Sequence, residues 1–114
     1  MEEELGPIAR DEACDTIAHA RDRDAGAICR VLLRVALNET DGVWALERVG
    51  AFLFHPDPEV RRVAVSSVGY LVRIHRAIDV SRVLPALRVL RADPLVAQRV
   101  RETLRDISQF VRAA

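Results

Sequence analysis

Apolar residues recur along this 114-residue chain with a period of 36 residues. An Asp-Pro pair at 57–58 is followed by apolar residues at 60, 64, 68, 71 and 74, and an Asp-Pro pair at 93–94 is followed by the same series shifted by 36. A backward shift places Ile28, Leu32 and Val35 on this series. Spacings of three and four residues are typical of one helix face, and a period of about 20–50 residues indicates stacked structural repeats.

The pattern predicts six helices, over about 8–20, 25–37, 42–54, 58–74, 81–91 and 94–111. Asp41, Asp57 and Asp93 are placed to cap the helices that follow, because a carboxylate accepts hydrogen bonds from the free N–H groups of a first turn. Alternating apolar and polar residues never persist, so no strand is predicted. We expect an all-α fold of three stacked antiparallel helix pairs, with a single domain at 8–112 (repeats about 8–37, 42–75 and 81–112) after an acidic tail at 1–7.

Composition narrows the class of protein. No stretch of about 18 apolar residues is present, so no membrane span is expected. The acidic start, Met1 to Glu4, does not resemble a secretory signal, so we expect a cytoplasmic protein. Cys14 and Cys29 are then expected to be free thiols that behave as small buried apolar residues.

Charge is unevenly distributed although the formal net charge is zero. Residues 1–59 carry thirteen acids and six arginines, a balance of −7, and residues 60–114 carry four acids and eleven arginines, a balance of +7. A dipolar surface of this kind can steer an oppositely patterned protein. Nucleic acid is not expected as a partner, because its binding needs a basic surface over most of the domain. The oligomeric state stays open.

No arrangement of residues typical of catalysis is apparent. His19, His55 and His75 are expected at helix ends, and the two cysteines have no histidine at a convincing spacing. There is no glycine-rich phosphate loop and no metal-ligand spacing. We therefore expect a protein that is not an enzyme and that has no cofactor and no metal site.

Three segments carry a resemblance to a known family. They are Trp44-Ala-Leu-Glu, His55-Pro-Asp-Pro-Glu-Val-Arg-Arg-Val-Ala and Val83-Leu-Pro-Ala-Leu. A helix, a short turn with Asp-Pro, and then Val-Arg with alanine three positions on resembles a HEAT repeat over 41–112, and more weakly over 8–40. The stretch Gly69 to His75, followed by Asp79, resembles short stand-alone bacterial HEAT-repeat proteins, some of which are immunity proteins of toxin systems.

The resemblance implies a short right-handed α-solenoid whose second helices line a concave, partner-binding face. The positions off the apolar stripe fall in register there, and arginine and tyrosine are enriched at binding hot spots. The predicted partner-binding residues are Arg30, Arg34, Arg62, Ser66, Tyr70, Arg73, Glu102 and Asp106. The expected function is a non-enzymatic protein-binding module, most concretely an immunity protein that blocks a bacterial toxin. The alternative is a small scaffold or self-associating protein. A further, less favoured alternative is a HEAT-like cofactor lyase, which would need a reactive cysteine.

The sequence allows two interpretations for each of three residues. Tyr70 is either an exposed anchor for a partner or packed at the edge of the core. Gly50 and Gly69 lie inside predicted helices, where glycine costs about 1 kcal/mol relative to alanine. Each marks either the close approach of two helices or a flat spot where the backbone of a partner docks.

Overall fold

The computed structural model describes residues 5–19 and 24–111. Within these residues the chain is all-helical, with six α-helices and no strand. The helices are α1 (Arg10–Ala18), α2 (Ala25–Asn38), α3 (Gly42–Gly50), α4 (Pro58–His75), α5 (Leu84–Leu90) and α6 (Ala97–Phe110). Residues 1–4, 20–23 and 112–114, which include most of the predicted acidic tail and the end of the first predicted helix, lie outside the described part.

The longest helix, α4, is the centre of the packing. It contacts α2, α6 and α3, while α1 packs against α2, and α5 packs against α6. Eight of its eighteen residues are buried. A buried hydrogen bond links α6 to α4, because the Thr103 hydroxyl donates to the carbonyl oxygen of Val65 at 3.1 Å. The core is therefore built outwards from α4.

The 36-residue period is visible in the burial of side chains. Ile28, Ala64 and Val100 occupy equivalent positions, and each is at most 3% exposed. Val35, Leu71 and Ile107 are likewise separated by 36 residues, and all three are buried. Leu32 and Val68 are fully buried, whereas their counterpart Leu104 is half-buried at the margin of the core. The repeat read from the sequence thus corresponds to a repeated set of core positions on α2, α4 and α6.

Two predicted aspartate caps are confirmed. The carboxylate of Asp57 accepts the Glu59 N–H at 2.8 Å, and Pro58 occupies the first helical position, where its missing N–H removes no helical bond. The carboxylate of Asp41 accepts the Trp44 N–H at 3.1 Å, and this bond lowers the pKa of Asp41. Both helices therefore begin where the sequence predicts.

The prediction that the sixth helix begins at Pro94 is wrong. Residues 94–96 form a turn, in which the Val96 N–H donates to the Asp93 carbonyl oxygen, and α6 begins at Ala97. The Asp93 carboxylate caps this turn through the Leu95 N–H at 3.0 Å, and it also pairs with Arg61 at 3.2 Å. The remaining helices are shorter than expected at one or both ends or differ by a single residue.

The first helix shows a second correction. Ala13 is its fully buried residue, and Cys14 is exposed, contrary to the expected burial. Ala13 and Ile17 lie one turn apart and face the core, which rotates the helix so that Cys14 points away from it. The predicted free state of both thiols is confirmed, and burial raises the pKa of Cys29.

The last turn of α4 is closed by an unusual backbone conformation. Arg76 has φ 46° and ψ −47°, and the Ala77 N–H donates to the His75 carbonyl oxygen, which defines a γ-turn of the positive-φ form. The Arg76 guanidinium lies 5.1 Å from the centre of the Phe110 ring. The end of α4 is thereby held against the end of α6.

Replacing Asp57 by alanine tests the cap. We expect Asp57→Ala to lower the free energy of unfolding by about 0.5–2 kcal/mol, because the Glu59 N–H in the first turn loses its carboxylate acceptor. Urea denaturation followed by circular dichroism measures the loss. Asp57→Asn is the matched control, since its amide oxygen can still accept; an alanine variant as stable as the asparagine variant contradicts the cap.

Leu71 and Leu104 form a matched pair for testing the core. Leu71→Ala should cost about 2–5 kcal/mol, because Leu71 is fully buried and its loss leaves a cavity. Leu104→Ala should cost less, because the half-buried site is partly open to water. Denaturant unfolding of both variants measures the difference, and equal losses would show that the two positions are equally enclosed.

Candidate functional site

The exposed part of α4 is a narrow stripe. Arg62, Ser66 and Tyr70 are half-buried and Arg73 is exposed, and all four lie at spacings of three or four residues, on one face of the helix. Helices α2, α3 and α6 cover the other faces. These four residues, called here the central-helix face, were all predicted to contact a partner.

Tyr70 lies in the middle of the central-helix face. Its ring packs against the core, which confirms the interpretation that it lies at the core edge, whereas its role as an anchor for a partner stays a prediction. Its hydroxyl has no hydrogen-bond partner among the described residues and is not enclosed. An aromatic side chain fixed in this way loses little conformational entropy on binding.

Arginines of the central-helix face are joined to α6 and its preceding turn. Arg73 pairs with Asp106 at 3.0 Å, with the Asp106 carboxylate largely enclosed. Arg62 pairs with Glu59 and approaches the Leu95 carbonyl oxygen at 3.4 Å. The two guanidinium groups therefore stand at either end of the stripe in defined positions.

A polar hollow of about 290 Å³ adjoins this face between α4 and the start of α6. Arg62 and Glu102, both predicted partner-binding residues, line it together with Arg99, which pairs with Glu102 at 3.6 Å. Exposed Leu95 lies at its edge. The structure thus brings Arg62 to Glu102, and Arg73 to Asp106, both across the contact between α4 and α6.

Arg34, on α2, has a role that the sequence did not reveal. Its Nε and Nη2 atoms donate to the carbonyl oxygens of Gly6 at 2.9 Å and Pro7 at 2.7 Å. Asn38 donates to the Leu5 carbonyl oxygen at 2.7 Å. Arg34 therefore holds the segment 5–7 against α2, whereas Arg30, one turn earlier, is exposed and makes no such bond.

Gly69 marks a close approach of two helices. A Cβ atom at this position would lie 3.2 Å from Asp106 Oδ2 and 3.4 Å from Thr103 Oγ1, both on α6. The glycine therefore lets α6 approach α4 at the level of Tyr70 and Arg73. The first of the two sequence interpretations holds for Gly69.

A second concave region lies outside the predicted site. It is a groove of about 570 Å³ between α3 and the segment leading into α5. Buried Leu46, Leu53 and Val83 form its floor with Gly50. Its edge is formed by Val43, Glu47, Asp79, Arg82 and Ala86. The available sequence signal was Gly50, the last residue of α3, between apolar residues at 46 and 53.

Other reactive side chains are dispersed. His19 directly follows α1, and His55 lies in the connection between α3 and α4. Their Nδ1 atoms form hydrogen bonds with the backbone of Asp15 and Asp57. Within the described residues, no group of three or more histidine, cysteine or acidic side chains could hold a metal ion. No helix in this part of the chain is long and apolar enough to cross a membrane.

Comparison with known proteins gives no relative. The chain matches no family model, no curated protein and no solved structure.

Replacing Arg34 by lysine tests the attachment of the segment 5–7. A single ammonium group cannot reproduce the two diverging N–H bonds of the guanidinium, so the segment should become more mobile. Lower heteronuclear NOE values at the Gly6 and Ile8 amides measure this. Arg30→Lys is the control on the same helix, and unchanged values in the Arg34 variant would show that the two bonds do not hold the segment.

Proposed function

We propose that the chain is a non-enzymatic protein-binding module built as a short HEAT-like solenoid, and that it acts as an immunity protein against a bacterial toxin. The repeat of core positions every 36 residues, on helices that contact each other in the order α2, α4, α6, supports the solenoid.

The central-helix face carries the functional part of the proposal. It presents Tyr70, with a fixed ring and an unpaired hydroxyl, between two arginines, and these residue types dominate binding hot spots. Arginine also grips carboxylates with two parallel hydrogen bonds. The face therefore suits a protein partner that offers carboxylate groups and an apolar patch for the tyrosine ring.

A growth assay tests the proposal directly. The product of each neighbouring gene is expressed in a bacterial host with and without this chain. We expect one product to stop growth and this chain to restore it by binding the product in a stoichiometric complex. If no neighbouring product is toxic, or if rescue occurs without a complex, the immunity function is excluded. A complex with a harmless product would instead support a scaffold.

Variants of the central-helix face locate the binding surface. Tyr70→Ala and Arg62→Glu should each weaken binding about 30-fold or more, as expected for hot spots of at least 2 kcal/mol. Isothermal titration calorimetry measures the loss, and the melting temperature of Arg62→Glu should stay within about 4 °C, or about 1 kcal/mol, of the parent protein. Tyr70→Ala also loses ring contacts with the core, so its affinity is measured below its own melting transition. Arg88→Glu, on exposed α5, is the control with the same charge change. Unchanged affinity in both variants of the central-helix face would show that the partner binds to a different surface.

A further inference from the structure

The side of α6 that faces away from α4 carries arginines where α4 carries a helix contact. Arg101 and Arg105 follow Val65 and Gly69 by 36 residues. On α4, Val65 is fully buried, and a Cβ atom on Gly69 would lie 3.4 Å from Thr103 Oγ1 of α6. The same two positions on α6 are exposed. They therefore mark the open end of the row of helices α2, α4 and α6, which contact each other in that order.

Arg88, on α5, belongs to the same open end. Val83 and Ala86 line the groove beside α3, so they mark the side of α5 that faces α3. At about 100° per residue, Arg88 lies about 140° and about 200° around the helix from these two residues. Helix α5 also packs against α6. Arg88, Arg101 and Arg105 are thus exposed at one end of the molecule, called here the arginine end.

No acid of the same repeat neutralises the arginine end. Residues 81–114 contain seven arginines and three acids. Each acid pairs with an arginine outside this surface: Asp93 with Arg61 at 3.2 Å, Glu102 with Arg99 at 3.6 Å, and Asp106 with Arg73 at 3.0 Å. The three guanidinium groups of the arginine end form no ion pair within the described residues, so they can grip carboxylates of another molecule.

The N-terminal segment lies at the opposite end of the row. Arg34, on α2, precedes Asp106 by 72 residues, which is two repeats. Asp106 lies on the side of α6 that faces α4, because it contacts Arg73 and the Gly69 position. The corresponding side of α2 holds the segment 5–7, whose carbonyl oxygens accept hydrogen bonds from Arg34. Three glutamates, at 2–4, directly precede this segment in the sequence.

Helix α1 adds a further carboxylate at this end. Arg10 lies 4.8 Å from the centre of the Trp44 ring, so it marks the side of α1 that faces α3. Glu12 lies about 200° around the helix from Arg10, is exposed, and has no ion-pair partner among the described residues. Glu12 and the glutamates at 2–4 are called here the acidic end. Residues 1–19 carry six acids and one arginine, a balance of −5, against +4 for residues 81–114.

We propose that the arginine end binds the acidic end of a second copy of this chain, so that copies associate head to tail. Charge complementarity selects this occupant, because the carboxylates that match the arginine end are present at the other end of the same row. The two surfaces differ, so the contact is heterologous and leaves one free end of each kind. Arg101 and Arg105 face away from the central-helix face, and the contact is therefore independent of the immunity function.

Sedimentation equilibrium of the chain alone tests the proposal. The monomer has a mass of 12.7 kDa. We expect the average mass to rise above this value as the concentration increases from about 10 to about 500 µM at about 20 mM salt, and to return to it at about 0.5 M salt, because exposed charges are then screened. The increase should have no fixed upper size, as expected of a contact that does not close.

Charge reversal locates the contact. Arg101→Glu combined with Arg105→Glu should raise the concentration needed for half association at least about tenfold. Arg30→Glu combined with Arg82→Glu is the control, because both residues are exposed, lie outside the two ends and give the same change in net charge. The control variant should associate like the parent protein.

Mixing two variants tests the direction of the contact. Glu2→Gln, Glu3→Gln, Glu4→Gln and Glu12→Gln together remove the charge of the acidic end and leave the arginine end intact. This variant and the Arg101→Glu, Arg105→Glu variant should each be monomeric alone. Their mixture should form a 1:1 complex of about twice the monomer mass, because one intact end of each kind is present and further growth is blocked. Circular dichroism verifies that both variants are folded.

Four results would overturn the proposal. They are a monomer at every concentration and salt, association that salt does not weaken, unchanged association after charge reversal at 101 and 105, and a mixture that stays monomeric. A monomer that binds heparin through Arg101 and Arg105 would assign the arginine end to an anionic polymer instead. All of these measurements use the chain alone, so they do not depend on whether a toxin partner exists.

Discussion

The burial of α4 between α2 and α6 is the contact on which the rest of the structure depends. Val60, Ala64 and Val68 are fully enclosed within it. A helix pair of this size cannot cover its own apolar residues, so each repeat needs its neighbour. Because α4 has neighbours on both sides, only part of its surface remains accessible. The packing that stabilises the fold therefore also determines which α4 residues reach solvent.

Gly50 and Gly69 were both predicted inside helices, but their surroundings in the structure differ. Gly69 allows α6 to approach α4, and Asp106 and Thr103 lie where a side chain would be. That approach also brings Asp106 within reach of Arg73. A Cβ atom on Gly50, the last residue of α3, would meet only Val83 Cγ1 at 3.4 Å, and the space beside it stays open as a groove. The local sequence does not distinguish these cases, because the difference lies in what a distant segment places opposite each glycine.

Sequence patterns predicted the features of the fold that depend on interactions between residues close in the chain. The all-helical class, the 36-residue repeat of core positions and the caps Asp41 and Asp57 depend on neighbouring residues and were predicted correctly. The start of α6 was not predicted correctly, because Asp93 also forms an ion pair with the distant Arg61. The burial of Cys14 was predicted wrongly, because packing on α2 sets the rotation of α1. The same limit applies to Arg34, which bonds residues about 28 positions earlier.

The structure shows which helices carry the positive charge of the second half of the sequence. All four acids of residues 60–114 are engaged: Asp79 with a backbone N–H, and Asp93, Glu102 and Asp106 with arginines. The exposed arginines of α5 and α6 at 88, 91, 101 and 105 have no acidic partner among the described residues. Their charge is therefore not compensated by acidic side chains of the described residues. A field of this kind raises the local concentration of an anionic partner and weakens as salt increases, since exposed charges are screened within about 10 Å at 0.1 M ionic strength.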